Sequence, residues 1–210
     1  MLNEAQVNTP DRPGSTYLAD LAAVGGRIEA SAGGGPLSFD VAVLLAAELI
    51  ATATAAGRRI FFIGNGGSAA IASHMATDYM KNGGMRALAF NDSSLLTCLS
   101  NDYGYGHVFE QPVRRFAERG DLLVAISSSG QSENICAAAA AATERGCRVV
   151  TLSGFDAGNR LRSLGDLNFY VPSRAYGQVE ILHLVVCHCI LDMLIARGAG
   201  AFVGEGALDV

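Results

Sequence analysis

Arg58-Arg-Ile-Phe-Phe-Ile-Gly64 runs directly into Asn65-Gly-Gly-Ser68, and a helical pattern follows. A short apolar run, a glycine turn, a small hydroxyl residue and then a helix are how a parallel sheet offers backbone N–H groups to an anion. Glycine-rich turns are common, so context decides. A second apolar run, Asp121-Leu-Leu-Val-Ala-Ile-Ser127, delivers another hydroxyl cluster, Ser127, Ser128, Ser129 and Ser132, around Gly130. One such turn alone reads more simply as a helix cap. Two at strand ends predict a single pocket for a phosphate, lined by Asn65, Gly66, Gly67 and Ser68 on one side and the serines on the other. Gly64–Ser68 holds no lysine, which argues against a nucleotide P-loop.

Outward from these turns the chain alternates. Strands are expected at 59–63, 86–90, 121–126, 148–153 and 167–171, and helices at 68–81, 92–100, 107–118, 132–145 and 178–196, with a short one near 158–164. That rhythm implies an α/β fold, a five-stranded parallel sheet with helices on both faces, whose ligands bind beyond the carboxyl ends of the strands. Residues 15–57 read as an N-terminal helical hairpin, broken at Gly33–Pro36 and restarted at Ser38. Residues 1–14 read as a loose leader and 198–210 as a tail, around a core of 58–197 in a single domain spanning 1–210.

The chain has 210 residues, half of them hydrophobic and 17% charged, enough for one compact core. A net charge of −5 gives no reason to expect nucleic-acid binding. No membrane partner is expected, because polar residues interrupt every long apolar stretch, and a signal-peptide pattern is lacking, which points to a cytoplasmic protein. Five scattered cysteines (Cys98, Cys136, Cys147, Cys187, Cys189) imply no disulfide framework. Cys187-His188-Cys189 invites a thiolate metal site, but successive helical residues diverge by about 100°, and buried cysteine is the plainer account.

His74 and Asp78 stand at i, i+4 on the helix after Ser68, so they share a face and can bind one metal or share a proton-transfer task. Away from a phosphate cradle such a pair would be read as a surface hydrogen bond. On the last helix, Glu180 and His188 lie eight residues apart, about 80° around the axis and about 12 Å along it, and both can border one pocket. His183 falls to the other side of Glu180 and reads as structural. Within Leu99-Ser-Asn-Asp-Tyr-Gly-Tyr105, Asp102 either receives sugar hydroxyls or caps a helix.

Gly64-Asn-Gly-Gly-Ser68, Asn101-Asp-Tyr-Gly-Tyr105 and Ser127-Ser-Ser-Gly-Gln-Ser132 together resemble the motifs of the sugar isomerase (SIS) domain family, and within it those of phosphoheptose isomerases. The resemblance covers nearly the whole chain. It implies a flavodoxin-like three-layer αβα sandwich, a homotetramer with sites at subunit contacts, and conversion of sedoheptulose 7-phosphate to D-glycero-D-manno-heptose 7-phosphate, a heptose precursor for lipopolysaccharide or capsule. It also implies phosphate held at Ser68, Ser127, Ser129 and Ser132, and a zinc ion held at His74, Asp78, Glu180 and His188. Asp78 would move the carbon-bound proton with Glu180 as the rival base, and His188 would shuttle the second proton or hold metal.

Three departures from the family pattern stand out. Asp78 occupies a position where a glutamate is usual, Glu180 one where a glutamine is usual, and Gly177 lies near a missing acidic residue. Aspartate is one methylene shorter, and misplacing a base by about an ångström can cost about a hundredfold in rate. Two other expectations compete: a catalytically idle SIS module that senses a sugar phosphate or assembles with a partner such as a replication initiator, and an isomerase for another phosphorylated ketose.

Overall fold

The structure is a computed structural model and describes residues 14–198. The leader up to residue 13 and the tail from residue 199 lie outside the described residues. In chain order the elements are α1 (Gly14–Gly25), β1 (Glu29–Ala32), β2 (Gly35–Leu37), α2 (Phe39–Ala55), β3 (Arg59–Gly64), α3 (Gly67–Lys81), β4 (Arg86–Ala89), α4 (Ser93–Tyr103), α5 (Glu110–Phe116), β5 (Leu122–Ser127), α6 (Glu133–Glu144), β6 (Arg148–Ser153), β7 (Leu167–Tyr170) and α7 (Tyr176–Ala196), with short 3₁₀ turns at Tyr105–His107 and Arg160–Ser163.

The strands form one seven-stranded sheet in the order β2-β1-β7-β6-β5-β3-β4. The five expected strands are all parallel to one another. Their order is that of a flavodoxin-like sheet, in which the chain winds outward in both directions from the β3/β5 pair. That pair is the topological switch point, and its carboxyl ends, Gly64 and Ser127, open a crevice.

The N-terminal region departs from a simple helical hairpin. Helices α1 and α2 form, but a two-stranded antiparallel hairpin separates them, and β1 pairs antiparallel with β7. Gly33 and Gly34 both take positive φ, 56° and 82°, which is the backbone a tight two-residue hairpin turn demands. The sheet therefore gains two strands beyond the expected five. Helix α2 begins where expected, with the Ser38 hydroxyl accepting from the Val41 amide at 3.4 Å.

Alternation along the central strands builds two cores. Ile60 and Phe62 of β3, with Val124 and Ile126 of β5, face α2, α3 and α7. Phe61 and Ile63, with Leu123 and Ala125, face α5 and α6 on the other side, with α4 leucines packed against that cluster. Both faces are covered, so β5 is buried at every position. Below the crevice the buried Asp121 carboxylate accepts from the Arg59 amide at 2.9 Å and the Glu118 amide at 2.8 Å, which locks the starts of β3 and β5 together. Helix α7 has the length and mean hydropathy, 2.0, of a membrane-crossing helix. Its buried side chains, Val179, Leu182, His183, Val186, Cys187, Ile190, Leu191 and Leu194, belong instead to the protein core.

Candidate active site

Gly64 ends β3 with no room to spare. A β-carbon there would lie 2.4 Å from the Ser68 carbonyl oxygen, so only glycine lets α3 start this close to the strand. Gly66 takes φ 54° and makes no side-chain cap, which leaves the first N–H groups of α3 aimed outward. Across the crevice β5 delivers Ser127. Its hydroxyl accepts from the Gly130 amide at 3.1 Å and lies 3.2 Å from the Ser132 hydroxyl. Gly130, at φ 62°, allows this turn, and a β-carbon on it would meet Asn159 Oδ1 at 2.0 Å. Ser129 accepts from the Gln131 amide at 3.2 Å.

These parts enclose a cavity of about 210 Å³ lined by Asn65, Gly66, Gly67, Ser68, the four serines Ser127, Ser128, Ser129 and Ser132, and Tyr176 and Glu180. The starts of α3, α6 and α7 all border it, and none carries a side-chain cap. Their positive dipole ends and unsatisfied N–H groups suit an anion. The buried Ser128 hydroxyl has no partner among the described residues, so it has a hydrogen bond to give. No lysine, arginine or histidine lines the cavity among the described residues. Every expected phosphate residue of the two turns is present in this one wall.

Asn65 reaches the cavity, but its side chain is engaged elsewhere. Asn65 and Asn134 exchange two hydrogen bonds of 2.9 Å, and the Tyr105 hydroxyl donates to Asn65 Oδ1 at 3.0 Å. Asn65 therefore fixes the glycine turn to α6 and to the loop after α4. Asn134, Tyr105 and Tyr176 were not anticipated as site residues. The signals for them were faint, a lone amide one position into α6 and two tyrosines among turn residues. Asp102 does not line the cavity. It sits exposed in the last turn of α4, its carboxylate accepting from the Asn101 side-chain Nδ2 at 2.9 Å and lying near the Cys98 thiol at 3.7 Å. The N-caps of the following 3₁₀ turn and of α5 are Gly104 and Phe109, so Asp102 caps neither.

One to three turns along α3, His74 and Asp78 face α7. His74 Nε2 lies 3.5 Å from Asp78 Oδ2, and the His74 and His188 rings are 5.4 Å apart between centroids. One ligand atom from each of His74, Asp78 and His188 lies within 4.8 Å of the other two. Two imidazoles and a carboxylate at this spacing fit a divalent metal with a coordination position left open. Glu180 stands apart from that trio. Its carboxylate lies at the start of α3, where a β-carbon on Gly67 would fall 2.4 Å from Oε2. The family-based ligand set of four thus divides, with three residues together and the fourth in the anion cavity.

His183 is fully buried on α7. Its Nε2–H donates to the Ser153 carbonyl at 3.0 Å, while Nδ1 has no partner among the described residues. Burial pulls its pKa down to about 4, against a weaker opposing effect of the Ser153 contact. This histidine is a neutral strut between α7 and the end of β6.

The SIS domain model matches residues 40–154, more than half of the chain, from the start of α2 to just past β6. The chain belongs to the SIS domain family. A phosphoheptose isomerase of Halorhodospira halophila is 41% identical over 160 residues, covering 72% of this chain and 81% of that one. The phosphoheptose isomerase of Geobacter sulfurreducens is 39% identical over 157 residues, 72% of this chain and 82% of that one. Among solved structures, phosphoheptose isomerase from Neisseria gonorrhoeae superposes with a TM-score of 0.75 at 32% identity, over 86% of this chain and 96% of that chain. The SIS fold that the resemblance implied is therefore the fold observed, with the antiparallel hairpin added at one edge.

Proposed function

We propose that this protein is a phosphoheptose isomerase that interconverts sedoheptulose 7-phosphate and D-glycero-D-manno-heptose 7-phosphate, supplying a heptose precursor for lipopolysaccharide or capsule. The observation that carries this is the pairing of two sites on the same two helices. An anion cavity sits at the starts of α3 and α7, and an imidazole–carboxylate trio sits further along them. Relatives at about 40% identity carry that activity in their names.

Aldose–ketose isomerisation moves one proton between adjacent carbons and another between their oxygens, through an enediolate. The serines and the α3 start hold the phosphate and fix the far end of the sugar. Asp78 takes and returns the carbon-bound proton; a carboxylate has two oxygens, so one can face His74 while the other reaches substrate. Glu180, expected as the rival base, lies instead in the anion cavity, at the phosphate end of the ligand. His188 shuttles the oxygen-bound proton or helps to hold a metal ion. His74, Asp78 and His188 would hold a zinc ion, which supplies positive charge where the oxyanion develops. The complete trio weighs against a module that only senses sugar phosphates, since sensing needs the cavity alone.

The protein is further proposed to be a cytoplasmic homotetramer. Ile181 and Val185 are exposed one turn apart on α7, and Tyr176, Leu18 and Met80 add to the exposed apolar side chains. Light scattering of the purified protein tests the assembly state.

The activity test is product formation from sedoheptulose 7-phosphate by zinc-supplemented protein, repeated with Asp78→Asn and His188→Ala. A loss of about a hundredfold or more is expected in each. Turnover at the native rate in both variants would refute these roles, and preferred turnover of a pentose or hexose phosphate would reassign the substrate.

A further inference from the structure

The anion cavity has an odd charge inventory. Among the described residues its wall offers hydroxyls and three uncapped helix starts, and its single charged lining side chain is a carboxylate, Glu180. That carboxylate rests on Gly67, the first residue of α3, so closely that a β-carbon on Gly67 would overlap Oε1, Cδ and Oε2 at 2.4 to 2.5 Å. A carboxylate at a helix N-terminus is favourably placed, and it occupies the same positive end that an incoming phosphate would use.

The backbone that carries Glu180 has little freedom. Val179 beside it is fully buried and packs against Gly154, where an added β-carbon would meet Val179 Cγ1 at 2.8 Å. One turn further, His183 is tied to the Ser153 carbonyl at 3.0 Å. The Glu180 side chain itself is half-buried and keeps its own torsions. A phosphate therefore meets a negative group that can swing aside but cannot leave the vicinity.

Building on the phosphate assignment of this cavity, we infer that Glu180 is a built-in competitor for the phosphate group. It sits against the start of α3 when the cavity is free and weakens the hold on any phosphorylated ligand. Product release is thereby favoured over tight retention. Glu180 acts on affinity for the phosphate end of the ligand, whatever sugar is attached.

The test is titration calorimetry with inorganic phosphate on the intact protein, comparing the natural chain with Glu180→Gln and Glu180→Ala. Removing one negative charge at this range should tighten phosphate binding about tenfold or more in both variants. The alanine variant separates loss of charge from any new hydrogen bond made by the glutamine amide. Adding Ser129→Ala to each background should weaken binding, which locates the phosphate in the cavity. Unchanged or weaker binding in both Glu180 variants, with the Ser129 effect intact, overturns the competitor role and leaves the phosphate assignment standing. Binding that ignores Ser129→Ala, or no binding to any of the proteins, overturns the phosphate assignment itself.

Discussion

Replacing His183 by glutamine should change how stability depends on pH, by an amount the structure sets. The imidazole is fully buried, donates from Nε2 to the Ser153 carbonyl, and has its pKa pulled from 6.5 to about 4. Well above pH 6.5 both the folded and the unfolded chain carry it uncharged. Below pH about 6.5 the unfolded chain takes up a proton that the folded protein refuses, so stability falls as pH falls. The loss levels off once pH drops below the folded pKa, and there it reaches about 3 kcal/mol at roughly 1.4 kcal/mol per unit. Glutamine keeps a donor for Ser153 but has no such titration, so near neutrality the variant should lose only about 1–2 kcal/mol through altered packing. Urea unfolding at about pH 7.5 and about pH 4.5, at one protein concentration, measures both. The gap between natural protein and variant should shrink or reverse by about 2–3 kcal/mol on going to the lower pH. Parallel pH profiles for the two proteins would show that His183 is not held neutral in the fold, and the strut between α7 and β6 would need another explanation.

Gly64→Ala places a β-carbon 2.4 Å from the Ser68 carbonyl oxygen and 2.5 Å from its carbon, both backbone atoms that cannot step aside. It should cost about 3 kcal/mol or more and abolish phosphate binding; a melting temperature equal to that of the natural protein would contradict the close strand–helix approach. Thiol labelling of the native protein should show a fast phase from exposed Cys98 that Cys98→Ser removes. Cys147 and Cys187, whose pKa values burial pushes up to about 11 and about 12, should label only on unfolding. A fast phase that survives both Cys98→Ser and replacement of the half-buried Cys189 by serine would mean one of the buried thiols is reached in the folded state.

The central strands were legible because their chemistry is unambiguous. Phe61-Phe62-Ile63 and Leu122-Leu123-Val124 are apolar on both faces, which only a sheet covered on both sides can use. The hairpin at 29–37 was missed because Glu29-Ala-Ser-Ala32 has little β preference of its own and gains its strand form by pairing with β7. The one local signal was the Gly33-Gly34 pair, which is a hairpin turn as readily as a helix break. At the site, the serines were found because they cluster at strand ends. Glu180 was placed with the metal ligands by the family resemblance; helical spacing alone put it on one pocket with His188, and the approach of α3 at Gly67 decides what its long side chain meets. Asn134 escaped notice because its partner, Asn65, is 69 positions away in the chain.

Helix α3 carries Ser68 at one end and His74 and Asp78 beyond it, so one rigid rod spans both halves of the site. His74 stands six positions after Ser68, about 9 Å along the axis at the helical rise. The rod works as a gauge: a ligand seated at Ser68 must be long enough to bring its other end to His74. Its setting cannot drift with loop movement, and a one-residue insertion between the two would turn the histidine about 100° away from its neighbours.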